Sequence, residues 1–212
     1  KYSRKEIPNT MFITLEGPEG GGKTWHVKPL AEFLRQRGHA VLTTREPGGT
    51  PIGDQIREVL HRLDNTAMNP RTESLLFQAA RAQLVEQIIR PHLAAGGVVL
   101  SDRYADSTLA YQGYGHGLPL EQLTSIIGFA TGGLKPDLTL LLDLDVEIGL
   151  NRKVKSGEWN RLDAYTVEFH RRVRAGFHAL CQADPARWVI IDASQPIEAV
   201  QEAIRQVVVA RL

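Results

Sequence analysis

The chain contains a single cysteine, Cys181, so it can close no internal disulfide and build no cysteine-based zinc centre. Cys181 reads as a packing residue. No run approaches the ~18 consecutive apolar residues of a membrane-spanning helix. Charge of one sign is also missing: 25 Lys and Arg stand against 24 Asp and Glu, a net charge of +1. That balance gives no global pull toward nucleic acid or membrane, so any basic site must be local. There is no internal repeat, no low-complexity tract, and no N-K-x-D run of the kind that reads guanine. The first residues, Lys1 to Pro8, lack the apolar centre of a secretory signal. Residues 1–10 are therefore expected to form a loose arm, residues 11–212 a single domain with a short lid, and the setting is expected to be cytoplasmic. A 212-residue chain with 42% hydrophobic and 23% charged residues suits that size and class.

One stretch stands out. Gly17-Pro18-Glu19-Gly20-Gly21-Gly22-Lys23-Thr24 fits G-x-x-x-x-G-K-[ST], the phosphate-cradling loop. A strand-forming run, Met11 to Leu15, precedes it, and a helix-length segment, Trp25 to Arg37, follows it and closes on Gly38. Triphosphate oxygens must be met by many backbone N–H groups at once, and glycines let the chain curl into that concavity. The helix N-terminus adds partial positive charge. Lys23 supplies a full charge for the terminal phosphates, and Thr24 a hydroxyl for Mg²⁺. Pro29 falls in the helix interior, which predicts a kink or a tight first turn.

Further along, Ala40 to Thr44, Val98 to Ser101, Leu138 to Leu142 and Val189 to Asp192 read as strands. Helices are expected between them, one opened by Thr50-Pro51 with Ile52, Ile56, Val59 and Leu60 as its apolar face. Another is opened by Asn69-Pro70 and runs to about Ile89, with Leu75, Leu76, Ala79, Leu84, Val85 and Ile88 at helical spacing. Pro91 ends or bends it. Alternation of this kind predicts an α/β fold: a doubly wound, five-stranded parallel sheet with helices on both faces. Ligands of such sheets sit beyond the carboxyl ends of the strands. The phosphate loop, Arg45-Glu46, Asp102-Arg103 and Asp143 all fall there. The polar segment 151–161 is the candidate lid.

A phosphate loop alone does not choose among ATPases, GTPases and kinases. Its combination with Thr44-Arg45-Glu46-Pro47-Gly48-Gly49-Thr50, Leu76-Phe77-Gln78-Ala79-Ala80-Arg81, Asp102-Arg103-Tyr104 and Ser107-Thr108-Leu109-Ala110-Tyr111-Gln112-Gly113 is far more specific. In order and spacing these motifs resemble the thymidylate kinase family of P-loop nucleoside monophosphate kinases, over essentially all of residues 11–212. The resemblance implies transfer of the γ-phosphoryl of ATP to dTMP with Mg²⁺, giving dTDP, in a homodimer with no nucleic-acid or membrane partner.

It also implies roles. The loop Gly17–Thr24, with Pro18, Glu19, Gly20, Gly21 and Gly22, would hold ATP, and Gln195 would border the adenine. Thr24 and Asp102 would serve the metal, Asp102 through water. Arg45 and Arg103 would clamp the dTMP phosphate, and Glu19 would reach the sugar 3′-hydroxyl. Phe77 would stack on thymine, Arg81 would donate to a base carbonyl, and Ser107 and Gln112 would touch the base. Tyr111 would crowd the ribose 2′ position. Pro47 resembles a proline that is cis in this family. Lys23, Arg103, Arg152 and Arg161 would stabilise charge on the moving phosphoryl, with Lys153 or Lys155 as substitutes. Two departures leave room for another monophosphate kinase or a nucleotide-binding homologue with impaired turnover: bulky Trp25 with His26 after Thr24, and Val154 and Ser156 where lid arginines are common.

Overall fold

The structure, a computed structural model, describes residues 10–157 and 159–212. The expected arm at residues 1–10 therefore lies, but for Thr10, outside the described residues, as does Glu158 of the candidate lid.

Five strands form one wholly parallel sheet in the order β2-β3-β1-β4-β5. They are β1 (Met11–Glu16), β2 (Val41–Arg45), β3 (Val98–Asp102), β4 (Leu138–Asp143) and β5 (Trp188–Asp192). Central β1, β3 and β4 are near-continuous apolar runs because both of their faces are covered. Side chains alternate across the sheet. Met11, Ile13 and Leu15 point to one core with Leu30 and Leu34 of α1 (Lys23–Gln36) and Ile204 of α9 (Ile197–Val209). Phe12 and Val99 point to the opposite core, under Leu84, Val85 and Ile89. Full burial of each such side chain is worth about 1.5–3 kcal/mol.

The helix-opening signals hold. The Thr50 hydroxyl accepts from Gly53 N at 3.0 Å and opens α2 (Pro51–His61). Asn69 Oδ1 accepts from Arg71 N at 2.9 Å and opens α3 (Pro70–Leu84). Past α3 the chain stays helical: Val85–Ile89 winds as a wider π-type turn, and α4 (Arg90–Ala94) takes Pro91 into its first turn, where a missing N–H costs nothing. A second wide segment, Leu109–Gly115, follows α5 (Ala105–Thr108). The remaining helices are α6 (Leu120–Thr131), α7 (Val146–Ser156) and α8 (Val167–Ala183).

Pro29 lies in the interior of α1, which begins at Lys23 and continues to Gln36, so of the two expected outcomes the tight first turn does not occur at the proline. One expectation is corrected. On α2 only Leu60 of the expected apolar face is buried; Ile52 and Val59 are exposed. Leu75 on α3 is likewise exposed, and Phe129 on α6 is 92% exposed. The helical period is right, but part of the stripe faces away from the core.

Register brings the chemistry to one level. Arg45 pairs with Asp102 across β2 and β3, and Leu15 with Asp102 across β1 and β3, so three strand ends stop together.

Candidate active site

The phosphate loop leaves β1 at Glu16 and reaches α1 through glycines at positive φ, among them Gly20 at 71° and Gly22 at 81°. It is pressed against α7. A Cβ built on Gly149 would stand 2.1 Å from the Glu19 carbonyl oxygen, so only glycine permits this approach. Lys23 curls back, its Nζ donating to Pro18 O at 2.7 Å and Gly17 O at 3.0 Å. Burial, and then the nearby Arg103 charge, lower its pKa to about 8. The Thr24 hydroxyl donates to the Asp102 carboxylate. These two oxygen groups suit a hard cation that takes its other ligands from phosphate and water. Among the described residues no cluster of three or more His, Cys, Asp or Glu could hold a metal unaided.

Arg103 sits at φ 69°, a left-handed backbone that turns its side chain toward the loop. Its Nη1 donates to Gly17 O at 3.1 Å and Ser107 Oγ at 3.2 Å, and its Nη2 to Glu19 Oε1 at 2.7 Å. The Tyr111 hydroxyl donates to the same Glu19 oxygen at 2.7 Å. Burial would raise the Glu19 pKa, but the Arg103 and Lys23 charges overcome it and hold the carboxyl down at about 2. Beneath lies Glu16, fully buried, accepting from Tyr104 N at 2.8 Å and Ser107 Oγ at 2.6 Å. Burial, reinforced by Asp106, pushes it up to about 8. Glu16 thereby ties down the segment that immediately follows Arg103, from Tyr104 to Ser107.

Above this floor opens a cleft walled by Phe77, Pro47, Ser107, Tyr111 and Gln112, with Glu19 and Arg103 at hand. The Glu46–Pro47 peptide is cis. Glu19, Phe77, Arg103, Ser107, Tyr111 and Gln112 are site residues expected from the sequence; Pro47 was expected only as a cis proline, and Thr108 and Leu162 also line the cleft without a sequence signal. Trp25 is 48% exposed and packs edge-on against His26, so it does not fill the cleft.

Four expected residues lie elsewhere. Arg81 is 1% exposed and points inward. Its Nη2 meets Glu46 Oε2 at 2.6 Å and Tyr104 O at 3.1 Å, while Nη1 meets Gln78 and Thr108 and Nε the same Glu46 carboxylate. All five N–H donors have protein acceptors, so the guanidinium expected to meet a base carbonyl is engaged within the protein in this structure. Arg45 is not a wall of the cleft: its guanidinium lies 3.9 Å from Asp54 and lines a neighbouring groove with Thr24 and Asp102. Arg161 is buried, and its Nη2 lies 2.5 Å from Glu73 Oε2, with further bonds to Leu60 O and the Tyr165 hydroxyl. It is a structural anchor here, not a lid cation. Asp143 is held by Arg174 and His178. Arg152, by contrast, stands over the phosphate loop, its Nη1 donating to Ala193 O at 3.2 Å. Gln195 donates to Asp192 at 2.8 Å, two residues beyond that same Ala193.

Sequence reasoning missed Arg57 of α2. It donates to Pro47 O at 2.9 Å, and its pKa is lowered by burial and by Arg45, with Arg103 adding to the effect. Three mutually repelling guanidiniums beside Asp102 describe a place for an anion. The available signal was its position six residues after the Thr50-Pro51 helix start.

Comparison with known proteins follows the same line. A sequence model of the family described as thymidylate kinase matches residues 15–204. A protein named thymidylate kinase from Roseiflexus castenholzii is 52% identical over 212 residues, covering 94% of this chain and 93% of the relative. One from Thermomicrobium roseum is 54% identical over 194 residues, covering 91% of each. The crystal structure of thymidylate kinase from Ehrlichia chaffeensis superposes with a TM-score of 0.78 at 32% identity, covering 95% of this chain and 99% of that one.

Proposed function

This chain belongs to the thymidylate kinase family and is a nucleoside monophosphate kinase that phosphorylates dTMP from ATP; on that footing we propose which residues carry each part of the transfer. The observation that carries the assignment is the Arg103–Glu19–Lys23 cluster between a phosphate loop and a cleft faced by Phe77.

ATP binds with its phosphates in the loop Gly17–Thr24, under Lys23 and Arg152, with Gln195 near the adenine. The dTMP phosphate binds on Arg103, with Arg57 and Arg45 completing the cationic rim. Phe77 stacks on the thymine, and Ser107 and Gln112 meet its polar edge. Tyr111, braced by Glu19, stands where a 2′-hydroxyl would have to fit. A phosphate oxygen of dTMP is already a nucleophile, so no general base is needed. Catalysis is positioning and charge neutralisation. Arg103 draws the acceptor into line, Lys23 and Arg152 offset charge on the moving phosphoryl, and the cleft walls keep water out. Thr24 and Asp102 would hold Mg²⁺, which supplies further neutralisation of phosphate charge when bound.

We also propose a single kinase domain over residues 11–212 with 151–161 as its lid, a cytoplasmic setting, and a homodimer. The dimer is supported by exposed Ile52 and Val59 on α2, Leu75 on α3 and Phe129 on α6, helices that pack side by side. No helix among the described residues is long and apolar enough to cross a membrane.

The test is ADP release measured across nucleoside monophosphates. dTMP is expected to give the highest kcat/KM. Equal or better turnover of UMP, CMP or AMP overturns the substrate assignment.

A further inference from the structure

Glu73 stands in the first turn of α3, fully buried, with both carboxylate oxygens occupied by donors. Oε2 receives Arg161 Nη2 at 2.5 Å and the Tyr165 hydroxyl at 3.0 Å. Oε1 receives Gln112 Nε2 at 2.7 Å, with His116 Nε2 3.3 Å away. A carboxylate surrounded in this way only accepts. Gln112 must therefore turn its NH₂ toward Glu73, because the flipped amide would set oxygen against oxygen. Gln112 is 1% exposed and is a wall of the cleft. Among the described residues no side-chain donor reaches its Oε1. The amide oxygen is the group left to face a base.

We infer that Glu73 is a positioning residue for base selection: by locking the Gln112 amide it presents a fixed acceptor to the pyrimidine edge, favouring thymine and uracil over cytosine. This rests on the proposal that Gln112 meets the base. Ring nitrogen N3 carries a proton in thymine and uracil and a lone pair in cytosine. Against a fixed acceptor the first two form a hydrogen bond, while cytosine sets two lone pairs together. A site built to pair one polar group rejects the analogue that leaves it unpaired, by ~10–100-fold for one such contact.

In Glu73→Gln the new amide keeps its oxygen toward Arg161 and Tyr165, since Arg161 can only donate. Its NH₂ then faces Gln112. Gln112 turns over to accept it and shows an NH₂ to the cleft, the partner that cytosine N3 requires.

The experiment measures kcat/KM of wild type and E73Q for dTMP, dUMP and dCMP, with thermal unfolding to confirm folding. The expected result is a fall of about 10-fold or more in the dTMP-to-dCMP ratio, with the dTMP-to-dUMP ratio unchanged. A purely structural defect would lower all three together. A folded E73Q with a wild-type dTMP-to-dCMP ratio overturns the inference. If E73Q does not fold, Gln112→Leu decides: its dTMP-to-dCMP ratio is expected to collapse, and a preserved ratio overturns the inference. Wild type that does not prefer dTMP overturns the functional assignment instead, so the two failures are distinct.

Discussion

Substituting Gly149 by alanine is the sharpest probe of how the phosphate loop is held. Gly149 is buried in α7, and the methyl group of alanine would fall 2.1 Å from Glu19 O, 3.2 Å from Glu19 C and 3.6 Å from Leu144 Cδ2. Carbon and oxygen need about 1 Å more than the first of these distances. The obstacle is backbone, so no side-chain rotation relieves it. Gly20 faces the same spot: its own Cβ would meet Gly149 O, so the loop cannot give way on that side either. Either α7 or the loop must move by about 1 Å. Overpacking of this kind costs ~1–3 kcal/mol of stability, which is ~3–10 °C in Tm for a domain of this size. The catalytic cost is larger, because α7 carries Arg152 and the loop carries Glu19 and Lys23. Displacement of about 1 Å in such a constellation costs ~100-fold. The assay is steady-state ADP release with ATP and dTMP varied in turn, alongside thermal unfolding. The expected result is a fall in kcat of ~10–100-fold with a raised KM for ATP. Wild-type kcat and KM with an unchanged Tm would refute the view that the Gly20–Gly149 contact sets the loop.

Replacing Arg103 with Met removes the cation that pairs with Glu19 and would receive the acceptor phosphate; kcat/KM for dTMP is expected to fall ~1,000-fold while ATP binding, read by calorimetry, changes less than tenfold. Glu16→Gln tests the raised carboxyl pKa. A buried acid lifted from 4.5 to about 8 loses stability as pH climbs through that window, so E16Q is expected to exceed wild type in Tm by about 5 °C at pH 8.5 and to match it near pH 5. Glu19 and Glu73 behave oppositely. Both are held at about 2, so the stability they contribute is present above pH 4.5 and lost as pH falls toward 2. Unfolding midpoints in guanidinium should drop between pH 5 and 3, and a flat profile there would show that neither carboxylate is paired as described.

The sheet was legible because parallel strands covered on both faces leave unbroken apolar runs, as at Val98 to Leu100 and Leu138 to Leu142. The phosphate loop was legible because its glycines and Lys23 lie within eight residues of one another. What stayed hidden depends on partners far apart in the chain. Phe77 and Arg81 share a helical face by spacing, but Glu46, 35 residues earlier, captures the guanidinium and turns it inward. Arg161 looked like a lid cation until Glu73, 88 residues before it, claimed its charge. Periodicity on α2 found Ile52, Ile56, Val59 and Leu60 as a stripe, yet could not say that Ile52 and Val59 face outward. Nor did any local signal announce the wide helical turns at Val85–Ile89 and Leu109–Gly115, the second of which delivers Tyr111 and Gln112 to the cleft.

The central claim is that two nucleotides meet through their phosphates between Lys23 and Arg103. A crystal structure with dTMP and a non-hydrolysable ATP analogue measures this directly. The account predicts the dTMP phosphate within hydrogen-bond distance of Arg103, its ring against Phe77, and the terminal phosphate of the analogue on Lys23. A dTMP phosphate bound away from Arg103, or a base that does not enter the cleft beside Phe77, would contradict it.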